Sequence, residues 1–239
     1  MSNHFAAFPD AQRTAEACAQ FILSTLESTL ERKPNSTLAI SGGSSPKIMF
    51  EIFAQSRFRW DRVHLFWVDE RSVPPEDAQS NFKLANDHWL APSGFPKANV
   101  HRIQAELAPE LAAQRYVEEI RSIFGPGLPQ FDVVHQGMGP DGHTASLFPG
   151  QPLIQDRTGV AAAVWVEKFK QWRITLLPGV LLAAHSTAML VTGADKTEAL
   201  DAVLHGPLEP QKYPSQFIAR EGRNVHWFLE QSLATNAHV

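Results

Sequence analysis

The chain has 239 residues, 44% of them hydrophobic and 19% charged, with a net charge of −4. That length and apolar content can bury the core of one larger α/β domain, and the acidic balance without a basic run argues against nucleic-acid binding. No stretch approaches the roughly 18 apolar residues of a membrane span, and a single cysteine, Cys18, excludes an intrachain disulfide.

The opening MSNHFAAFPDAQ lacks a basic segment followed by an apolar one, so no secretion signal and a cytoplasmic location are expected. Residues 11–32 are rich in Ala, Leu, Ile and Glu with apolar positions at helical spacing, which predicts a helix stopping near Lys33-Pro34-Asn35. TLAIS (37–41) reads as a short buried strand that runs into Gly42-Gly43-Ser44-Ser45-Pro46. Residues 47–57 then read as a helix, with Pro46 in its first turn. VHLFWV (63–68) is the next strand, followed by a charged loop, Asp69-Glu70-Arg71. Helices are expected over 80–90 and 109–124, and a strand over 131–138.

That strand ends in GMGPDGHTASLFPG (137–150), a glycine-rich loop carrying a histidine. Strands follow at 160–166, 173–177 and 187–192, then Gly193-Ala194-Asp195 and a helix over 196–204. Residues 216–219 and 225–229 read as a last pair of strands. Apolar strands alternating with helices predict one Rossmann-like α/β domain over 1–239, mostly parallel, with helices on both faces. In such sheets ligands gather at the carboxyl ends of strands. The turn-rich segments after Ser41, Val68, Met138 and Thr192 are therefore expected to meet at one site.

Each of these segments carries a chemical possibility beside a plain one. Gly42, Gly43 and Ser44 join a strand to a helix, where backbone N–H groups, hydroxyls and the helix dipole suit an anion such as phosphate; the plain reading is a flexible turn. Arg71 can clamp an anionic oxygen and Asp69 can orient it or bind a sugar hydroxyl, or the triplet is a solvated loop. Histidine as a residue type titrates near neutrality, so His143 is a candidate to take a proton from water. Asp141 can orient its imidazole or hold substrate. Most of the ten histidines must be unremarkable: His135 sits mid-strand, and His4 and His238 are terminal. Asp195 is placed to cap a helix, and Lys196 in its first turn works against the dipole unless it faces a phosphate. Arg173 points either into the site or outwards. No HExxH, CxxC or GxSxG pattern occurs, so neither a zinc site nor a covalent serine or cysteine mechanism is expected.

Together, LAISGGSSP (38–46), VDERSVP (68–74) with Ser80-Asn81, GMGPDGHTASLFPG (137–150), RITL (173–176) and VTGADK (191–196) resemble the 6-phosphogluconolactonase family. Glucosamine-6-phosphate deaminases share the fold, but their pattern has an aromatic after Asp-Glu and an Asn-Glu-Pro-Gly segment after the histidine. Here Arg71 and Leu147-Phe148-Pro149-Gly150 stand at those places. His135-Gln136 replaces the family's leucine pair, and Tyr213-Pro214-Ser215 only partly matches its Leu-Pro-Ala-Ser. The resemblance implies hydrolysis of 6-phospho-D-glucono-1,5-lactone in the oxidative pentose phosphate pathway, without cofactor or metal. It implies His143 as base and Asp141 as its orienting partner. Gly42, Gly43, Ser44, Arg173 and Lys196 would hold phosphate, and Arg71 would serve either the oxyanion or the phosphate. A deaminase of the same fold and a non-catalytic sugar-phosphate sensor are the alternatives. A small phosphorylated lactone is the expected partner, and a monomer is compatible with the composition, which does not fix oligomeric state.

Overall fold

A computed structural model describes residues 2–237, so Met1, His238 and Val239 lie outside the described residues. In chain order the elements begin with β1 (Ser2–Phe8), α1 (Ala11–Leu30), β2 (Ser36–Ile40), α2 (Ser44–Gln55), β3 (Val63–Trp67) and β4 (Asp69–Arg71). Next come α3 (Asn81–Ala85), a π-helical turn at Asn86–Leu90, α4 (Ala91–Ser93), β5 (Val100–His101), α5 (Pro109–Phe124) and β6 (Val133–Gly137). The chain ends with β7 (Ala161–Val166), β8 (Gln171–Leu176), α6 (Pro178–Ala183), β9 (Ser186–Val191), α7 (Thr197–Leu204), α8 (Gln216–Glu221), β10 (Asn224–Glu230) and α9 (Gln231–Asn236).

Seven strands form one sheet in the order β1-β10-β9-β6-β2-β3-β5, and every neighbouring pair is parallel. Such strands are covered on both faces, which is why β9, STAMLV, is buried at all six positions instead of alternating. The helices read from periodicity hold: α1 is capped by Asp10, whose carboxylate accepts from the Arg13 N–H at 2.8 Å, and α5 spans the expected residues.

Three readings are corrected, and one strand escapes the sequence pattern. Asp69–Arg71 is not a loop but a strand, antiparallel to β8, and with β7 these make a second, three-stranded sheet. Residues 216–219 are helical; Gln216 turns inward there, its amide donating to the carbonyls of Ala202 and Pro207 at 2.9 and 2.8 Å. A four-residue apolar run cannot separate helix from strand by period alone. β1 goes unpredicted because SNHFAAF is mostly exposed; it is an edge strand held through its backbone to β10. Asp195 makes no cap: residues 194–196 form a 3₁₀ turn, and no side chain caps α7.

Two buried polar groups finish the core. β5 covers β3 only at Leu65 and Phe66. Beyond it the Trp67 N–H and C=O are both taken by the Tyr116 hydroxyl, at 2.9 and 2.6 Å. His135, on central β6, is fully buried with Nε2 unpartnered, and burial pushes its imidazole down to about 3. We predict that Tyr116→Phe lowers stability by about 1–3 kcal/mol in urea unfolding, since both backbone groups lose their partner. The His135 shift has a definite sign. The unfolded chain takes up a proton near pH 6.5 that the folded chain refuses until about 3, so stability is lost as pH falls through that window. His135→Leu should make the acid-side fall in melting temperature shallower; an unchanged slope would contradict the assignment.

Candidate active site

From β2 the sheet winds to β3 and β5 in one direction; from β6 it winds to β9 and β10 in the other. The reversal lies between β2 and β6, and strands diverging there leave a crevice at their carboxyl ends. A cleft of about 250 Å³ occupies that place, lined by Ser41 to Pro46, Asp69, Arg71, Asn81, Gly139, His143, Arg173 and Lys196. The four loops therefore meet as the strand pattern predicts. A larger hollow of about 740 Å³ lies between Phe82, Leu90, Phe95 and Arg102, but its lining is mostly apolar and holds no histidine or carboxylate.

One wall of the cleft is a helix start. α2 begins at Ser44, earlier than its sequence suggests, and its N-cap is Gly43 with φ 118° and no side-chain cap. Its first N–H groups are free to meet an anion. Gly42 is fixed by close approach: a Cβ there would lie 1.9 Å from Asn81 Oδ1. Ser45 Oγ bonds Thr192 Oγ1 at 2.6 Å, tying the loop to the end of β9. Lys196 reaches the same cleft, and burial lowers its ammonium below the usual lysine range, with Asp195 opposing.

The second wall comes from the β4·β8 ladder. Asp69 faces Thr175, Glu70 faces Ile174, and Arg71 faces Arg173. Alternation places Asp69, Arg71, Arg173 and Thr175 on one side and Glu70 on the other. Glu70 is structural: its carboxylate accepts from the backbone N–H of Arg71, Asn81 and Phe82 and from Ser80 Oγ, anchoring the start of α3. Burial raises its carboxyl above the ordinary range against those bonds. Asp69 is buried and accepts from Ser146 Oγ at 2.6 Å. Arg71 and Arg173 are like charges directly across a ladder, an arrangement that costs stability. The Nε of each is buried without a partner. Arg71 donates to the Gln79 carbonyl at 2.5 Å. Arg173 lies over the Phe169 and Phe148 rings, and desolvation lowers its guanidinium despite Asp69.

The third wall is the loop after β6. Asp141 Oδ1 sits 2.5 Å from His143 Nδ1. With that proton donated to the carboxylate, Nε2 carries the lone pair, and it has no partner among the described residues. The ring stacks on Phe148 with centroids 4.0 Å apart. Gly139 has to be glycine, since a Cβ would fall 2.1 Å from ring atoms of His143. Ala145 holds a left-handed φ of 52°, which costs a non-glycine residue about 1–2 kcal/mol. Thr144 Oγ1 bonds Gln136 Oε1 at 3.0 Å, so one half of the atypical His135-Gln136 pair anchors this loop. The atypical C-terminal segment buttresses it: the Ser215 N–H donates to the Gly142 carbonyl at 2.8 Å, and Tyr213 packs on Gly142. Burial works to raise the Asp141 carboxyl, but bonds from His143 and Lys168 outweigh it and hold it well below the carboxylate range.

All the site residues expected from the sequence line the cleft except Asp141, which stands behind His143. Sequence reasoning missed Asn81 and Ser146 as site residues. Asn81 is buried, donates to the Asp69 carbonyl at 2.9 Å and keeps an unpartnered Oδ1. Both lie in segments that carry the family resemblance, Ser80-Asn81 and GMGPDGHTASLFPG, which was the available signal.

The sequence model of the glucosamine-6-phosphate isomerase/6-phosphogluconolactonase family matches residues 9–227. The chain is 34% identical over 219 residues to the 6-phosphogluconolactonase of Synechocystis sp., with 90% of each chain covered. It is 37% identical over 199 residues to that of Treponema pallidum, covering 81% of this chain and 82% of the relative. The crystal structure of 6-phosphogluconolactonase from Thermotoga maritima aligns with a TM-score of 0.83 at 28% identity, covering 96% of this chain and 100% of the other. Sequence and architecture agree along nearly the whole length, and the chain belongs to the glucosamine-6-phosphate isomerase/6-phosphogluconolactonase family.

Proposed function

We propose that this chain is a single catalytic domain that hydrolyses 6-phospho-D-glucono-1,5-lactone to 6-phospho-D-gluconate with water activated by His143. The observation that carries this reading is the Asp141–His143 pair, 2.5 Å apart, in a cleft that also gathers two arginines and an uncapped helix start. The lactonases among its relatives support the substrate class. A lactone carbonyl is electrophilic enough to need only a base, an oxyanion donor and a grip on the phosphate.

In this reading Nε2 of His143 takes a proton from water as the water oxygen attacks C1. The carbonyl electrons move to oxygen, and Asp141 stabilises the imidazolium. The C1–O5 bond then breaks, and the imidazolium returns its proton to O5, giving the free hydroxyl and the acid. Gly42, Gly43, Ser44, Arg173 and Lys196 hold the phosphate, and Arg71 lies close to either charge. Asp69, fixed by Ser146, is placed for a sugar hydroxyl. Among the described residues no helix is long and apolar enough to cross a membrane, and we place the reaction in the cytoplasm.

Wild-type protein should consume freshly made lactone far faster than it decays alone and release no ammonia from glucosamine 6-phosphate. His143→Ala should lose about 10²–10⁴ in kcat, and activity should fall on the acid side as the base takes up its proton. Near-normal turnover in that variant would remove His143 from the mechanism. Ammonia release would favour the deaminase, and no turnover of either substrate a sensor. Inorganic phosphate should raise the melting temperature by relieving the Arg71–Arg173 repulsion, and Arg173→Met should remove most of that rise. An equal rise in both proteins would place the phosphate elsewhere.

A further inference from the structure

The hairpin between β7 and β8 carries a charged aromatic tip, Glu167-Lys168-Phe169-Lys170, that the reaction scheme does not use. Lys170 turns the chain with a φ of 49°. Glu167 is occupied by Lys170 and by the Trp165 indole N–H, at 2.7 Å from the latter. Lys168 instead leaves its own hairpin and reaches the catalytic loop, its Nζ lying 3.0 Å from Asp141 Oδ2. Phe169 docks beside it, edge-on to Phe148 with centroids 5.8 Å apart and with the Arg173 guanidinium 4.9 Å from its own ring. Phe148 is the ring on which His143 stacks. The tip therefore touches both partners of the dyad, one by charge and one through an aromatic ring.

We propose that Lys168 is a positioning residue for the Asp141–His143 pair, an inference that rests on the lactonase reading for its effect on rate. The carboxylate of Asp141 has two oxygens and a soft terminal torsion. Oδ1 serves His143, through Nδ1 and the backbone N–H. Lys168 takes Oδ2, which fixes the carboxylate plane and directs the Oδ1 lone pair at the ring. The ammonium also draws off part of the negative charge of Asp141, so its removal would leave the full charge of the carboxylate acting on the His143 ring.

Other groups face the pair too. Asp69 and Arg71 from β4 and Arg173 from β8 share the cleft, and Tyr213, with Lys212 over its ring, packs against Gly142. Among the described residues, Lys168 is the one lysine or arginine that bonds Asp141. Its side chain is 52% exposed, and ion pairs that open to water add little to folding stability. Its removal is therefore read in the chemistry and not in the fold.

The test is Lys168→Met beside Lys168→Arg in the full chain. For Lys168→Met we expect a melting temperature close to wild type, kcat lower by about tenfold with little change in KM, and an acid limb displaced to higher pH. Lys168→Arg should restore both. The ring-proton resonances of His143, assigned by their loss in His143→Ala, should titrate at higher pH in Lys168→Met. This NMR titration needs no substrate, which separates the two ideas. An active lactonase whose His143 titration and acid limb superimpose for all three proteins overturns the role of Lys168. The expected NMR difference between Lys168→Met and a wild type that does not hydrolyse the lactone overturns the functional reading instead.

Discussion

The reversal of winding between β2 and β6 is the constraint from which the site follows. Parallel strands that lead away from each other cannot send their connections over the same space, so a crevice opens at their carboxyl ends. β2 delivers the helix start at Ser44 to one side, and β6 delivers His143 to the other. β9 contributes the turn before Lys196 from the next position in the sheet. His143 and the uncapped helix start are thus held apart by sheet geometry, a separation that suits the proposed substrate, with a reactive carbonyl at one end and a phosphate at the other.

The cleft also shows where the fold gives up stability for chemistry. Four cleft-lining residues, Ser41, Arg71, Asn81 and Arg173, hold buried polar atoms without a partner. Buried polar groups are normally satisfied, and these four line a cleft where a polar ligand would partner them. The opposed Arg71 and Arg173 add electrostatic cost of the same kind. The core keeps open polar atoms too, His135 Nε2 among them, while the Tyr116 hydroxyl satisfies both backbone groups of Trp67.

Much of this was legible in the sequence. The long helices and the core strands carry clear periodicity, and the glycine-rich segments stand where strands end. Local patterning could not see what depends on partners. Asp69-Glu70-Arg71 looks like a solvated loop because its charges are unusual for a strand. It becomes one through pairing with β8, whose position depends on a connection about a hundred residues long in the chain. Gln216 reads as the start of a strand until its buried amide is seen to bind two carbonyls. Asp141 and His143 lie two residues apart, so their pairing was readable; Lys168, joined to them across the fold, offered no local signal.

In the proposed reaction the reacting carbon lies beside His143 Nε2, and the phosphate lies on the helix start with the basic side chains. The most direct test is a crystal structure with the product, 6-phospho-D-gluconate, bound. We expect the product carboxylate within hydrogen-bond reach of Nε2 and the phosphate against Gly42, Gly43 and Ser44. A phosphate seated on His143, or a product bound in the apolar hollow beside Phe82, would contradict it.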